Sequence, residues 1–283
     1  MRSRLRPYLQ VAPLTVILGG FFVLPIVIVI MVSFFEYQTY QLLIPTFTLQ
    51  NYVDVFSASV TYRTYLITLR FCATVWAITL VLGFAMAYFL AFHVRTLRWQ
   101  LGLFLLCTIP FWTSNVIRMI AWIPLLGRHG VVNTVLHSLG LLDTPLEWLL
   151  YSEFAVMVGY VHLYTLCMLV PIFNAMMRID RAVIEAAVDS GATEWQTLWH
   201  VIVPLCKPGI TIGSIFVLAV VMGDFVTIDV LGGGQIASVG KAIMTELSYL
   251  QFPSAAANAI VLLIAVCGMI AVLLRVVDIQ KEL

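Results

Sequence analysis

Six stretches of the chain, roughly 12–35, 65–92, 100–126, 154–176, 209–231 and 255–277, are apolar over lengths that match a lipid bilayer. A helix rises about 1.5 Å per residue, so about 20 apolar residues cross a hydrocarbon core of about 30 Å. No water is present there to satisfy backbone N–H and C=O groups, so each stretch is expected to be a helix. The third is the most polar of the six. Hydrophobic residues make up 62% of the 283-residue sequence and charged residues 10%, with a mean hydropathy of +1.02. That composition excludes an ordinary soluble domain. The expected fold is all-α and integral to the membrane, with six transmembrane helices occupying 12–283 behind a short leading segment, 1–11. The first stretch follows "MRSRLRP" and is too long for a removable signal peptide, so it is expected to be a retained span.

The distribution of Lys and Arg sets the expected orientation, because the cytoplasmic side of a membrane protein carries their excess. With the N-terminus inside, the inner regions hold ten: Arg2, Arg4, Arg6, Arg95, Arg98, Arg178, Arg181, Lys207, Arg275 and Lys281. The outer loops hold three, Arg63, Arg128 and Lys241, and two, Arg70 and Arg118, fall within spans. Both termini are therefore expected in the cytoplasm, as is the polar segment 177–207. Outer loops are expected near 36–64, 127–153 and 232–254, the second containing a short amphipathic helix around Val131, Val135, Leu136 and Leu139.

Several function classes are excluded. Fifteen basic against fourteen acidic residues give no concentrated cationic surface for nucleic acid. Cys72, Cys107, Cys167, Cys206 and Cys267 are scattered singly, with no CxxC spacing, and there is no HExxH, so neither a metal site nor a disulfide framework is expected. The nearest approach to a phosphate loop, "QIASVGKA", has Gln235 where the first glycine belongs and Ala242 in place of the hydroxyl. No nucleotide or other cofactor is expected on this chain, and no catalytic residue.

One polar segment interrupts the apolar pattern. From Ile179 to His200 the sequence reads as two short helices separated by a turn at Gly191, with Thr193 placed to cap the second. Asp180, Glu185, Asp189 and Glu194 lie beside small residues and beside Trp195, Leu198 and Trp199. Charged groups next to apolar surface suit docking better than chemistry.

"EAAVDSGATEWQTLWHVIVP", Glu185 to Pro204, resembles the EAA motif of the permease subunits of binding-protein-dependent ATP-binding-cassette importers: EAA, three residues, Gly, nine residues, Ile, any residue, Leu-Pro. Glu185, Ala186, Ala187, Gly191 and Pro204 match in register, Asp189 and Ala192 agree with common usage, and Val201 and Val203 replace Ile and Leu. The resemblance implies a type I importer permease in the bacterial inner membrane. Its 177–207 loop would be a coupling element docked on a cytoplasmic ATPase dimer that consumes the ATP. A second, different permease subunit and a periplasmic substrate-binding protein would complete the assembly, with lipid around it. Glu185 would make a polar contact or hold the loop's shape, and Gly191 would supply the turn. "IPFWTSNVIRMIAWIPLLGRHGVVN" and "GDFVTIDVLGGGQIASVGKAI" are similar to the corresponding segments of spermidine/putrescine permeases, over most of the chain from about Leu66. The implied solute is a polyamine; related permeases for opines, amino-acid derivatives or thiamine share much of the pattern.

Ionisable residues within a span usually face protein or a water-filled cavity, which makes them pathway candidates. At about 1.5 Å per residue from the inner ends of their spans, Arg118 and Asp224 fall at comparable depth in the outer half, with Asp229 near the outer mouth. Asp224, with Asp229 and Glu246, would attract an ammonium group, and Trp112, Trp122, Tyr160 or Tyr164 would line its path, since aromatic faces attract cations. A structural ion pair between Arg118 and Asp224 is the competing expectation. An ion-coupled secondary transporter is the rival class, but it would usually show an inverted repeat, and none is visible.

Overall fold

A computed structural model describes residues 13–38, 41–94 and 96–276. The leading segment 1–11, and with it Arg2, Arg4 and Arg6, as well as Arg95 and Lys281, lie outside the described residues. Among the described residues, four helices are long and apolar enough to cross a membrane: Pro13–Val32, Ser59–His93, Glu153–Met176 and Phe252–Arg275. Two further stretches qualify only as bent pairs. Leu97–Trp112 and Asn115–Ser138 meet at 93°, and Glu194–Leu205 and Lys207–Gly223 at 66°. Counting each pair as one span gives six.

Neither the third nor the fifth span is straight. In the third, Pro110 has no N–H for an α-helical bond and sits in a 3-10 turn, Ile109–Trp112. Thr113 and Ser114 are then extended (ψ 153° and 138°) before the helix resumes at Asn115. Arg118 lies beyond this bend, so its depth does not follow from counting residues along one axis. The expected fifth span, 209–231, breaks at Asp224 (ψ 121°), between the helices Lys207–Gly223 and Val226–Gly232. Beside the helices, Glu36–Gln38 and Gln41–Ile44 form a short antiparallel pair, with Glu36 opposite Ile44 and Gln38 opposite Gln41.

The chain divides into two compact units, 1–63 with 242–264, and 64–241 with 265–283. In the first, the end of Pro13–Val32 is fixed by a polar clasp. Ser33 is fully buried. Its hydroxyl bonds the Ile30 carbonyl and the Tyr52 hydroxyl, each at 2.7 Å, and the Asn51 amide donates to the carbonyls of Ser33 and Phe35 at 2.9 Å. Phe34 stacks on Phe47 with ring centroids 4.9 Å apart. By contrast, none of Pro13–Val32 within the window that qualifies it as a span is buried in the chain.

The second unit is organised by Glu153–Met176, which packs most extensively against Lys207–Gly223 and also meets Val226–Gly232. Lipid tails are as apolar as leucine, so helices in a membrane associate through close packing and hydrogen bonds. Gly209 and Gly213, one turn apart, permit that closeness. A Cβ at 209 would fall 2.6 Å from the Pro171 carbonyl oxygen, and one at 213 would fall 2.8 Å from the Met168 sulfur. The Trp76 indole donates to Ser214 Oγ at 2.8 Å, tying Ser59–His93 to the same helix. Ser152 caps Glu153–Met176 by accepting from the Ala155 amide, and Glu153 pairs with Arg70 at 2.5 Å. Both side chains are more than half exposed, so this pair contributes little in water.

Candidate functional site: the polar loop and the broken spans

The loop 177–207 is built almost entirely by local interactions. Asp180 caps the helix Arg181–Asp189 by accepting from the Ala182 amide at 3.0 Å. Glu185, Ala186, Ala187 and Asp189 all lie on this helix. It ends in a Schellman motif: the Ala192 amide donates to the Ala187 carbonyl, and the Gly191 amide to the Val188 carbonyl. Gly191 has φ +85°, which lies in the left-handed region that glycine tolerates best. This gives the glycine of the EAA spacing its physical reason: it must stand where the first helix's last carbonyls are satisfied.

Two residues later a second helix begins. Thr193 accepts from the Gln196 amide while the Gln196 side chain accepts from the Thr193 amide, a reciprocal capping box. The T-x-x-Q spacing for it is legible in the sequence, and Gln196 belongs with the loop-forming residues for that reason. Pro204 sits in the last turn before the 66° bend into Lys207–Gly223. Glu185, Ala186, Asp189 and Gly191 are exposed and Ala187 is half-buried. Trp195 and Trp199 are 67% and 52% exposed and meet edge-on with centroids 5.7 Å apart. The loop thus presents a preformed helix-turn-helix whose polar and aromatic surface is not consumed by its own chain.

The expected pathway residues do not behave as one group. Asp224 is a junction residue. One carboxylate oxygen accepts from the Val226 and Thr227 amides, at 2.8 and 3.2 Å, capping Val226–Gly232. The other accepts from the Tyr164 and Thr227 hydroxyls, each at 2.6 Å. Tyr160 adds a hydroxyl contact to the Asp224 carbonyl at 3.4 Å. Tyr164 and Asp224 therefore come together, and Tyr164 is only 4% exposed.

Arg118 and Asp224 form no ion pair among the described residues, which goes against the competing expectation of a structural pair. Arg118 is 8% exposed, donates to Asn115 Oδ1, and leaves Nε and Nη1 without a hydrogen-bond partner. Asp229 is paired with Lys241. Trp112 is the opposite of buried, at 89% exposure on the 3-10 turn. Trp122 donates its indole N–H to His162 Nδ1 at 3.1 Å. Glu246 accepts from Ser254 and Asn258, and burial pushes its carboxyl above the usual range. Asp224 and Thr227 meet locally, three residues apart, and Tyr164 and Asp224 were each expected on the pathway; no sequence signal announced the bond between those two, because they approach only when helices from distant parts of the chain pack together.

Residues 79–281 match the family described as the binding-protein-dependent transport system inner membrane component. The chain belongs to that family. The match spans the EAA loop, both bent pairs and the junction at Asp224, so the family assignment covers the whole candidate site. Among individual relatives, a spermidine/putrescine transport system permease protein from Haemophilus influenzae is 34% identical over 230 residues, covering 80% of this chain and 78% of the relative. One from Salmonella typhimurium is 32% identical over 256 residues, covering 90% and 88%. The fold is shared with a chain of a bacterial ABC transporter involved in the import of alginate. That likeness has a TM-score of 0.77 at 18% identity and covers 97% of this chain and 96% of that one. As a member of this family the chain is an inner-membrane transport component of helical, type I importer architecture, and not itself a catalyst.

Proposed function

We propose that this chain is one of two different permease subunits of an ATP-driven importer and that the imported solute is a polyamine such as putrescine or spermidine. The observation that carries the reading is the preformed EAA loop within a chain that shares a third of its residues with spermidine/putrescine permeases over most of its length. An ATPase dimer would dock on the exposed face around Glu185, Ala186, Ala187, Asp189, Gly191 and the Trp195–Trp199 pair, and that separate dimer would bind and hydrolyse the ATP. A periplasmic binding protein would deliver the amine from the other side. The Lys and Arg distribution supports both termini and the loop lying in the cytoplasm.

Solute passes along the interface with the second permease, where the highly exposed Trp112 supplies an aromatic face to the cation. Asp224, Tyr164 and Arg118 shape the wall behind it at the two helix breaks, and Asp229 stands beyond the Asp224 junction. Alternating access then consists of the ATPase dimer moving the loop as a rigid unit, with the bends at 112–115 and 205–207 changing angle.

The test is ATP hydrolysis by the reconstituted complex with its binding protein, with and without putrescine or spermidine. Stimulation that requires both the amine and this chain supports the proposal. Robust assembly with no response to either amine removes the polyamine and directs the search to opines, amino-acid derivatives or thiamine.

A further inference from the structure

Gln100 stands near the start of Leu97–Thr108, the first half of the bent third span, and is 6% exposed. Its side-chain amide donates to three acceptors: the carbonyls of Leu90 and Ala91, at 2.9 and 3.3 Å, and the Met177 sulfur at 3.0 Å. None of the three has a proton to give, so the nitrogen of the amide faces them and not the oxygen. The two carbonyls belong to the π-helical last turn of Ser59–His93, Phe89–His93. Carbonyls of a last turn lack partners within their own helix, and Leu90 and Ala91 are buried. A donor from another element is needed there, and Gln100 supplies it.

Met177 caps the C-terminus of Glu153–Met176 and is the first residue of the 177–207 loop. One turn away the same two helices meet again. Phe104, four residues after Gln100, stacks on Phe173, four before Met177, with ring centroids 4.6 Å apart and planes 20° from parallel. Residues four apart share a helix face, so Gln100 with Phe104 and Met177 with Phe173 make an antiparallel contact at two points. One point fixes a distance; two also fix an orientation.

We infer that Gln100 is a positioning residue that makes Leu97–Thr108 one rigid body with Glu153–Met176 and with the base of the EAA loop. A displacement of the loop then turns Leu97–Thr108 with it, and the extended Thr113 and Ser114 take up the change of angle. The end of the second span is held in the same clasp. With Gln100 unable to donate, the Phe104–Phe173 stack is left as a single contact about which the helices pivot. The rigid body does not depend on what is transported; its use in transport rests on the importer reading.

Spin labels at the exposed Leu105 and Asn174 test this in proteoliposomes of the complete complex. The three cysteines of this chain that are not buried, Cys107, Cys167 and Cys267, are replaced by Ala, and the partner subunits carry no reactive cysteine. The wild-type Gln100 chain should give one narrow inter-label distance, unchanged by ATP with vanadate. Gln100→Met, of similar length and without a donor, should broaden it. Met177→Ala keeps both carbonyl bonds, and with them the fold, and should broaden it as well. In the unlabelled complex, Gln100→Met should keep ATP hydrolysis without binding protein within twofold of wild type. The same variant should lower the putrescine imported per ATP at least fivefold, the low end of the usual range for coupling between sites. A wild-type distance that changes with ATP and vanadate, or a distance as narrow as wild type in both variants, overturns the rigid body. Basal hydrolysis and import falling in proportion in Gln100→Met would make the residue merely structural and overturn its positioning role. A wild-type complex that keeps the single distance but imports no putrescine would overturn the polyamine proposal and leave the rigid body standing.

Discussion

Tyr164 donates its hydroxyl to Asp224 at 2.6 Å, joining Glu153–Met176 to the break between Lys207–Gly223 and Val226–Gly232. The same carboxylate caps the next helix. Asp224 is thus fully engaged within its own chain, with four donors on two oxygens.

That engagement ranks three substitutions. Tyr164→Phe removes one hydrogen bond to a charged group, which contributes about 1.5–3 kcal/mol. Asp224→Ala removes all four and should lower the melting temperature of the purified complex more than Tyr164→Phe. Asp224→Asn keeps an acceptor for the Val226 and Thr227 amides and should be milder than Asp224→Ala. Uptake measured beside stability separates two roles: a loss of cation uptake in Asp224→Asn that exceeds its loss of stability assigns the charge to transport.

Arg118 gives the opposite expectation. Its guanidinium cannot shed its proton and two of its nitrogens have no partner. Holding a charge out of water without good partners costs several kcal/mol, a penalty that an apolar residue of similar length does not incur. Arg118→Met should raise the melting temperature of the complex while lowering transport. A lower melting temperature would show that the guanidinium gains its partners from the second subunit.

For the loop, a β-branched residue at the left-handed Gly191 position is strained by about 1–2 kcal/mol. Gly191→Val should therefore unseat the Schellman turn and reduce binding-protein-stimulated ATP hydrolysis at least tenfold. Glu185→Lys should do the same without disturbing the turn, because Glu185 makes no bond that shapes it. Co-purification of the subunits with both variants distinguishes lost coupling from lost assembly, and normal stimulation in Glu185→Lys would remove that residue from the coupling role.

Gly209→Leu forces a side chain where even a Cβ meets the Pro171 carbonyl oxygen at 2.6 Å. The helices must separate, and overpacking of this kind costs about 1–3 kcal/mol or more. Thermal unfolding should show a clear loss, and Gly223→Ala, with nothing within 4 Å of the added Cβ, should show little.

Glu246 should produce a pH dependence. Burial raises its carboxyl above the ordinary value of 4.5, so the folded protein binds a proton more tightly than the unfolded chain. Stability therefore falls as pH rises from that ordinary value through the raised one. Thermal unfolding of the wild type should lose stability across this interval, and Glu246→Gln should flatten the slope.

Much of this protein is fixed by patterns that local physics reads directly. Apolar runs long enough for a bilayer, a Schellman glycine at 191, an Asp180 cap and a Thr193–Gln196 capping box depend on neighbours within a few residues, so the apolar segments and the fold of the polar loop were legible from the chain alone. The bend at Pro110–Ser114 was marked only by a proline, whose kink angle the surroundings choose. What the tertiary structure decided were the partners of the intramembrane charges. Residue counting placed Arg118 and Asp224 at matching depth and left a structural pair open beside a pathway role. Packing instead gave Asp224 to Tyr164 and Thr227 and left Arg118 with Asn115, because the breaks in both spans redirect the backbone just where those charges stand. Oppositely charged side chains in a low-dielectric interior attract strongly only when the backbone brings them within a few ångströms, and that distance is a property of the packed helices.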